Sequence, residues 1–322
     1  YDLSDRYFKT PKSQRYSLDL VSQQYMSNLH TRISKSYDGG RYSSPSDIVE
    51  DIWSSCLDDG RDLYVEQTKR TDQIIIPNWH PHDAFNWLAK RSQPEDSVAT
   101  NYRYFESMVG SHFTSLEKLA GAEPILIFTL EPRENDPTRV EGLSDNIVKV
   151  DNLYFMNKFQ KIKNIQNGQY SSKLITHDIV KKKILQHDYD GFANWGEIDH
   201  LADNPPISNS ETNFAAGNYA RTSFAPPFGT PIRDGRQLSD YTDSRVEFYP
   251  KHDKLYALTS DHEYDNKVED WKQRRAHHTQ IYDNITMQVH CSGISFLRLG
   301  MVVGLQVPSG ETTSSGKKEL AY

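Results

Sequence analysis

Alternating apolar and polar residues predict strands along much of the chain. In "RYSLDLVS", Tyr16, Leu18 and Leu20 alternate with polar residues, which is the period of a half-buried strand. Further strands are predicted in "NYRYFES", "PILIFTLEP", the middle of residues 147–165, "GQYSSKLITHDIVKKKILQHDYD", "DSRVEFYP" and "KLYALTS". The late segments "ITMQVHCSG" and "GMVVGLQVP" each place apolar residues on one face, so we expect an antiparallel pair joined by a Gly-containing turn.

Helical spacing and capping signals predict two helices in the first third of the chain. Ser44 followed by Pro45 is a helix start, and the apolar spacing after it predicts an amphipathic helix that ends near Gly60. In "PNWHPHDAFNWLAKRS", His80 stands before Pro81 in the same way, and apolar residues recur at helical spacing beyond it. This stretch therefore predicts the buried start of a second helix.

Two further helices and one long loop complete the pattern. After a turn in "VGSH", Thr114 and Glu117 form a possible capping box for a short helix closed by Gly121, and a longer helix is predicted over residues 266–282. Residues 200–244 are rich in Pro, Gly, Asn and Ser, which indicates a long irregular loop. Together these elements predict a β-dominated α+β fold.

Composition indicates a soluble globular protein. The 322 residues are 36% hydrophobic and 11% aromatic with a net charge of −7, and no apolar run reaches the length of a membrane span. Mild acidity argues against a nucleic-acid partner. Cys56 and Cys291 lack metal-ligand spacing and are predicted to be buried thiols, which fits a reducing compartment. The chain starts at Tyr1 without Met, so we expect a fragment of a longer protein.

Histidine pairs raise the possibility of a metal site. His80 and His82 flank a proline and lack the i, i+4 spacing with which one helix face offers two zinc ligands. His277 and His278 are adjacent, so they are predicted to point to different faces of their helix. We therefore interpret all four as structural residues, and the sequence assigns no metal ligand.

Other candidate sites also have structural explanations. Gly110, Ser111 and His112 form a turn beside a histidine, but nothing in the sequence supplies an oxyanion hole. Glu197 and Asp199 are a carboxylate pair in an aromatic segment, and we interpret them as part of a solvated loop rather than a sugar cleft. "DHEYDN", at residues 261–266, lacks the glycine and glutamate of a calcium loop. The sequence assigns no catalytic residue and no cofactor-binding residue.

A set of segments in a fixed order resembles one protein family. They are "YDLSDRYFKTPKSQRYSLDLVS", "SNLHTRISKSYDGG", "SPSDIVEDIW", "IIIPNWHPHDAFNWLAKRS", "NYRYFESMVGSHFTSLEKL", "GQYSSKLITHDIVKKKI", "WKQRRAHHTQIYDNITMQVHCSG" and "FLRLGMVVGLQVPS". Taken in order, they are similar to the central hub protein of contractile bacteriophage baseplates, which is related to the hub half of type VI secretion spike proteins. The resemblance covers most of the chain and is weakest in residues 200–244.

The resemblance implies a homotrimeric ring with two tube-like antiparallel β-barrels in each subunit and inserted peripheral domains. The first barrel would comprise residues 1–37 and 125–159. The inserted α+β domain would comprise residues 38–124 and 285–322. The second barrel would occupy residues 160–284, including the loop 200–244 and the closing helix 266–282.

The implied function is structural and not enzymatic. Such a ring closes the tail tube and adapts its six-fold symmetry to a three-fold central spike. The implied partners are the spike protein, tube-initiator and tail tube proteins, the tape measure protein and possible baseplate wedge proteins, with no membrane and no sequence-specific nucleic acid. We expect a location in the virion after assembly in the host cytoplasm. The alternatives are a virion-associated peptidoglycan or carbohydrate hydrolase, which would use His80, His82 or the Glu197 and Asp199 pair, and a β-rich glycan-binding module.

Overall fold

The structure, a computed structural model, describes residues 2–10, 12–37, 44–69, 74–130, 148–157, 161–179, 181–201, 238–251, 268–283, 285–312 and 318–321. These residues form a strand-rich mixture of α and β structure, which confirms the predicted β-dominated character. They belong to two compact units. Unit 1 comprises Tyr1–Ser92 and Arg103–Phe113, and unit 2 comprises Gln93–Tyr102 and Thr114–Tyr322. The three-part division into two barrels and an inserted domain stays a prediction.

The described helices and strands follow in chain order. The strands are β1 (Asp2–Thr10), β2 (Ser13–Asp19), β3 (Ile33–Tyr37), β4 (Asp62–Val65), β5 (Ile74–Trp79), β6 (Tyr102–Glu106), β7 (Gly110–Ser115), β8 (Ile127–Thr129), β9 (Val150–Asn157), β10 (Ser171–Asp178), β11 (Lys183–Asp190), β12 (Val246–Lys251), β13 (Thr286–Cys291), β14 (Gly304–Thr312) and β15 (Lys318–Ala321). The helices are α1 (Gln23–His30), α2 (Pro45–Cys56), α3 (Pro81–Ala89), α4 (Leu116–Ala120), α5 (Lys161–Gln166) and α6 (Val268–Tyr282), with short 3-10 helices at Trp195–Glu197, Leu238–Asp240 and Thr242–Ser244.

The strands form small sheets of two or three members. Three sheets lie mainly in unit 1, namely β1 with β2, β3 with β5, and β4 with β7 and β6. Unit 2 holds β9 with β13, β8 with β14 and β15, and β10 with β11 and β12. None of the sheets formed by the described residues closes into a barrel.

The core of unit 1 is built on α2 and α3, which pack against each other. Ser44 caps α2 through a capping box with Asp47, as the sequence predicts. Ile48 and Ile52 lie one turn apart on α2, so both side chains reach the core and are almost fully buried. α3 begins at Pro81 and buries Phe85 and Leu88. Both predicted helices are confirmed, although α2 ends at Cys56 and not near Gly60.

Unit 2 contains two groups of strands, each with its own packing partners. Leu126, Phe128 and Val150 form a buried cluster where β8 and β9 begin, and β14 lies parallel to β8. The second group is the β11–β10–β12 sheet, and α6 packs against β10 and β11. Because side chains alternate across a strand, Ser172, Leu174 and Thr176 face α6 and the intervening residues face away.

The predicted pairing of the two late segments is wrong. β13 pairs with β9 in an antiparallel manner, and β14 pairs with β8 and β15. The residues between β13 and β14 do not make a tight turn, because Ile294 and Leu297 pack against the Leu126 cluster. Gly304 then allows β14 to lie close to Ile127, since a Cβ at Gly304 would approach that side chain to 3.1 Å.

Several smaller expectations also change. The predicted "VGSH" turn lies earlier, because Gly110 already starts β7, and Ser115 rather than Thr114 caps α4. Cys56 and Cys291 are only partly buried, because Cys56 ends α2 and Cys291 ends β13. Most of the predicted loop 200–244, the strand "KLYALTS" and the cap of the last helix lie outside the described residues.

Candidate functional site: uncovered apolar faces and a buried histidine cluster

α1 is an amphipathic helix with its polar side turned inward. Gln24 and Asn28 are one helical turn apart, so they share a face, and both are buried. Tyr25, Met26 and Leu29 lie on the opposite side and are 45%, 43% and 49% exposed. A helix on an ordinary protein surface shows the reverse arrangement.

Specific hydrogen bonds hold the inward face of α1. Gln24 Oε1 accepts hydrogen bonds from Tyr104 Oη at 2.9 Å and from Ser111 Oγ at 2.8 Å. Asn28 Oδ1 accepts one from the backbone N–H of His82 at 2.8 Å. Because these contacts fix the orientation of α1, its apolar side chains are directed outward by the fold itself.

The outward side of α1 continues the apolar surface of the chain before it. Leu20 and Val21, between β2 and α1, are exposed. We call Leu20, Val21, Tyr25, Met26 and Leu29 the α1 apolar surface. Residues 20–31 contain no Asp, Glu, Lys or Arg. An exposed apolar patch without charge marks a surface that is covered by another protein more often than one that faces water.

Two-stranded ribbons extend this pattern in each unit. All seven residues of β2 are exposed, and Phe8 on β1 is also exposed. In unit 2, Phe155 on β9 and Met287 on β13 are opposite each other and both exposed. Isolated two-stranded ribbons are marginally stable in water, so both gain stability when a further surface covers them.

The β11–β10–β12 sheet has one covered and one uncovered face. α6 covers the first face, where Lys272 on α6 forms an ion pair with Glu247 at 3.0 Å. On the opposite face, Val246, Phe248 and Ile184 are exposed, with Phe248 at 62%. Most of the surface of Phe248 and Ile184, and about half of that of Val246, is therefore left uncovered by the described part of unit 2.

The structure separates His80 and His82, the first pair considered for metal binding. His80 Nδ1 lies 2.9 Å from the carbonyl oxygens of Asn28 and Thr31, which ties the start of α3 to the end of α1. The His82 ring packs beside Tyr104, and burial lowers the pKa of His82. The two rings serve different packing contacts.

Ser111 and His112 do not act on each other. Ser111 bonds to Gln24, whereas His112 Nε2 lies 2.8 Å from Ser107 Oγ and its ring stacks between Tyr64 and Phe105. Ser107 also donates to the carbonyl of Gly110, which closes the β6–β7 turn. The Ser107 hydroxyl therefore stabilises the β6–β7 turn. The hydroxyl next to His112 in space is that of Ser107, although Ser111 is its neighbour in the sequence.

The carboxylates of Glu197 and Asp199 are also separated by their contacts. Glu197 forms an ion pair with Arg274 of α6 at 2.6 Å, and Asp199 lies beside Gly121 at the end of α4. The acidic segment 261–266 lies outside the described residues.

The main feature that the sequence did not predict is a histidine cluster inside unit 2. His277 and His278 on α6 are 4% and 2% exposed, with ring centroids 5.3 Å apart. His278 Nδ1 donates to Glu117 Oε1 at 3.1 Å, and the His200 ring lies 5.9 Å from the His278 ring. The adjacent histidines do point to different neighbours, as predicted, but both neighbours are buried. We call His200, His277 and His278 the histidine cluster.

Burial and pairing oppose each other around Glu117. Burial raises the pKa of the Glu117 carboxyl, but hydrogen bonds from His278, its own backbone N–H and Asn101 outweigh burial and lower it. The carboxylate therefore stays ionised inside unit 2, where His278 and Asn101 hold it.

Neither a metal centre nor a known family identifies the chain. Within the described ranges, no group of three or more His, Cys, Asp or Glu residues is arranged to hold a metal ion, and no helix is long and apolar enough to cross a membrane. No model of a known protein family matches the chain, and no curated protein matches its sequence.

Proposed function

We propose that the chain is a structural hub subunit of a contractile phage tail baseplate. In this role, three copies form a ring that closes the tail tube and adapts its six-fold symmetry to a three-fold central spike. The protein would assemble in the host cytoplasm and remain in the virion. The observation that carries the proposal is the set of uncovered apolar faces, above all the inverted helix α1.

An assembly subunit needs surfaces of this kind. In a ring, each copy offers two different faces to its neighbours, so large apolar areas stay uncovered in one isolated copy. The α1 apolar surface in unit 1 and the Phe248 side of the β11–β10–β12 sheet in unit 2 are two such areas. Additional strands and neighbouring copies would complete the two tube-like barrels that the family resemblance implies, and the spike, tube and tape measure proteins would cover the ends of the ring.

The resemblance to hub proteins is what makes the proposal specific. Apolar faces alone are compatible with many assemblies, whereas the ordered segments from "YDLSDRYFKT" to "GMVVGLQVPS" resemble one family along most of the chain. The chemistry of the described residues adds a second argument. The candidate residue Ser111 and the carboxylates Glu197 and Asp199 are each engaged in structural contacts.

The test is the oligomeric state of the whole protein, measured by light scattering after size-exclusion chromatography, followed by electron microscopy. We expect a trimer with three-fold symmetry about a channel. The variant Met26→Lys/Leu29→Lys places two charges on the α1 apolar surface and is expected to raise the trimer dissociation constant at least about tenfold, since burying an unpaired charge is costly. Ser54→Lys, on the exposed side of α2, is the matched control.

A monomer at high concentration, or a trimer equally stable in both variants, contradicts the proposal. The two alternative functions have their own assays. Release of soluble fragments from peptidoglycan would indicate a hydrolase, and retention on immobilised glycans would indicate a glycan-binding module.

A further inference from the structure

The histidine cluster lies where α6 meets the rest of unit 2. Adjacent residues on a helix point about 100° apart, so His277 and His278 reach different neighbours. His277 contacts the backbone carbonyl of Gln169 and the ring of Tyr189 on β11. His278 contacts Glu117 on α4. The cluster therefore connects α6 to β11, to Gln169 just before β10, and to α4.

Hydrogen bonding fixes where His277 carries its proton. A carbonyl oxygen only accepts hydrogen bonds, so Nδ1 of His277 must donate to Gln169 and hold the proton of the neutral ring. Nε2 is then a bare lone pair, and it is buried without a hydrogen-bond partner. A second proton could attach only at this atom, which would create a buried cation with an unpaired N–H.

His200, which is partly buried, is the second histidine beside His278. Its ring stacks on Trp195 with centroids 3.8 Å apart, and its Nε2 donates to the Trp195 carbonyl at 2.9 Å. A second proton on His200 would therefore attach at Nδ1. Protonation of both His200 and His277 would place two cations beside the His278 ring, whose centroid lies 5.9 Å from that of His200 and 5.3 Å from that of His277.

The surrounding carboxylates compensate for such cations only in part: Glu117 and Asp199 favour a protonated His200, but burial outweighs them and its pKa is lowered. The titratable and charged groups that face the cluster are Glu117 on α4, Tyr189 and Asp190 on β11, Glu197 and Asp199 in the following segment, and Arg274 and Tyr282 on α6. Glu117 is already bonded to His278 and Asn101, and Glu197 is paired with Arg274. Arg274 adds a positive charge on the same helix.

We propose that the histidine cluster is an acid-operated latch, which holds α6 against α4 and β11 at neutral pH and releases α6 when His277 and His200 take up protons. This device lies inside unit 2 and does not depend on the hub function. In a protein that changes from one stable conformation to another, the latch would make that conformational change sensitive to acid.

The sign of the pH dependence follows from burial. Burial, together with the neighbouring His278, lowers the pKa of His277 from 6.5 to about 3, and burial also lowers the pKa of His200. The unfolded chain binds these protons near pH 6.5, but the folded chain does not. Stability contributed by the neutral rings is therefore complete above pH 6.5 and is lost progressively as the pH falls towards 3.

Hydrogen exchange measured by mass spectrometry tests the latch in the whole chain. Exchange of peptides that cover α6, α4 and α2 is compared between pH 7.5 and pH 4.5, after correction for the intrinsic pH dependence of exchange. We expect the protection factors of α6 and α4 to fall at least about tenfold. For each histidine, every pH unit below its pKa in the unfolded chain increases the population of the open state by a factor of up to about ten. α2, in unit 1, should change little.

Matched substitutions identify the responsible residue. His277→Asn keeps an N–H donor near the position of Nδ1 but cannot take up a proton, so the opening of α6 should shift to lower pH. His290→Asn, at an exposed histidine of β13 in the same unit, should leave the transition unchanged. If His277→Asn does not fold, His200→Gln keeps the donor to Trp195 and serves the same purpose. A histidine titration of the unaltered chain by NMR gives an independent measurement, in which the His277 ring should take up its proton only well below pH 6.5 and together with the opening of α6.

Three results would overturn the latch. α6 could remain protected at pH 4.5, or α2 could open together with α6, which would indicate general acid unfolding. In the third, Glu117→Gln would move the transition while His277→Asn did not, and the carboxylate would then be the sensor.

Discussion

At the scale of single residues, Gln24 shows how a buried polar side chain orients an entire helix. Its Oε1 accepts hydrogen bonds from Tyr104 and Ser111, which are 80 and 87 residues away in the chain. Buried hydroxyl groups need such acceptors, because water cannot reach them. The contact therefore fixes which side of α1 faces unit 1 and, as a consequence, which side remains outside.

Replacing Gln24 with Leu tests this function of the side chain. Leu keeps the volume similar but removes the acceptor that Tyr104 and Ser111 share, so we expect a loss of about 1–3 kcal/mol in the free energy of unfolding. Urea denaturation of the whole chain measures the loss. Gln23→Leu, at the exposed neighbouring position, is the matched control and should change stability by less than about 0.5 kcal/mol. Equal effects of the two substitutions would show that the buried acceptor contributes nothing.

The same long-range dependence explains which parts of the site the sequence could predict. The start of α3 follows from Pro81 and the spacing after it, and these local signals were sufficient. The histidine cluster depends on Gln169 and Glu117, which are 108 and 161 residues from their histidine partners. No local pattern carries that information. The only sequence signal was the pair of adjacent histidines in the predicted helix 266–282.

At the scale of elements, local chemistry was predictable and strand pairing was not. The capping box of α2 lies within four residues, so the sequence specifies it completely. β13 was assigned to the wrong partner, because its alternation fits any neighbouring strand, and the choice of β9 depends on packing in the Leu126 cluster. α1 was not predicted: it is only eight residues long, and its buried positions are the polar Gln24 and Asn28, so apolar spacing does not mark its inward face.

Gly110 provides a prediction about one of these pairings. It starts β7 opposite Asp62 of β4, and a Cβ at Gly110 would lie 2.1 Å from the Asp62 carbonyl oxygen. Backbone atoms cannot move aside as a flexible side chain can. We therefore expect Gly110→Ala to disrupt the β4–β7 pair and to lower the free energy of unfolding by about 1–3 kcal/mol or more.

The control for Gly110 is Gly196→Ala, because a Cβ at Gly196 has no atom within 4 Å. Thermal unfolding measures both variants, and hydrogen exchange of the β4 and β7 peptides locates the effect. If Gly110→Ala unfolds at the same temperature as the control, the close approach of β4 and β7 is not present in solution.

At the scale of the whole molecule, net charge and exposed apolar surface have opposite effects on the association between copies. The net charge of −7 keeps copies apart at pH 7, whereas the uncovered faces of both units favour association. The isoelectric point is near 6.0, so the repulsion disappears only about one pH unit below neutrality. Association between copies should therefore be strongest close to that pH, before acid opens the histidine cluster fully.

Light scattering of the purified chain between pH 7.5 and pH 5.5 tests this balance. We expect scattering to rise towards pH 6.0 and to fall again when the sample returns to pH 7.5, since the folded units associate without unfolding. Met26→Ser/Leu29→Ser removes apolar area from α1 without altering the charge, so it should reduce scattering at pH 6.0 at least about twofold. Ser54→Ala, an uncharged change on the exposed side of α2, should not. Equal scattering from the unaltered chain and the two variants would show that the α1 apolar surface does not bring copies together. The association would then arise from another face, and substitutions on the Phe248 side of unit 2 would be tested next.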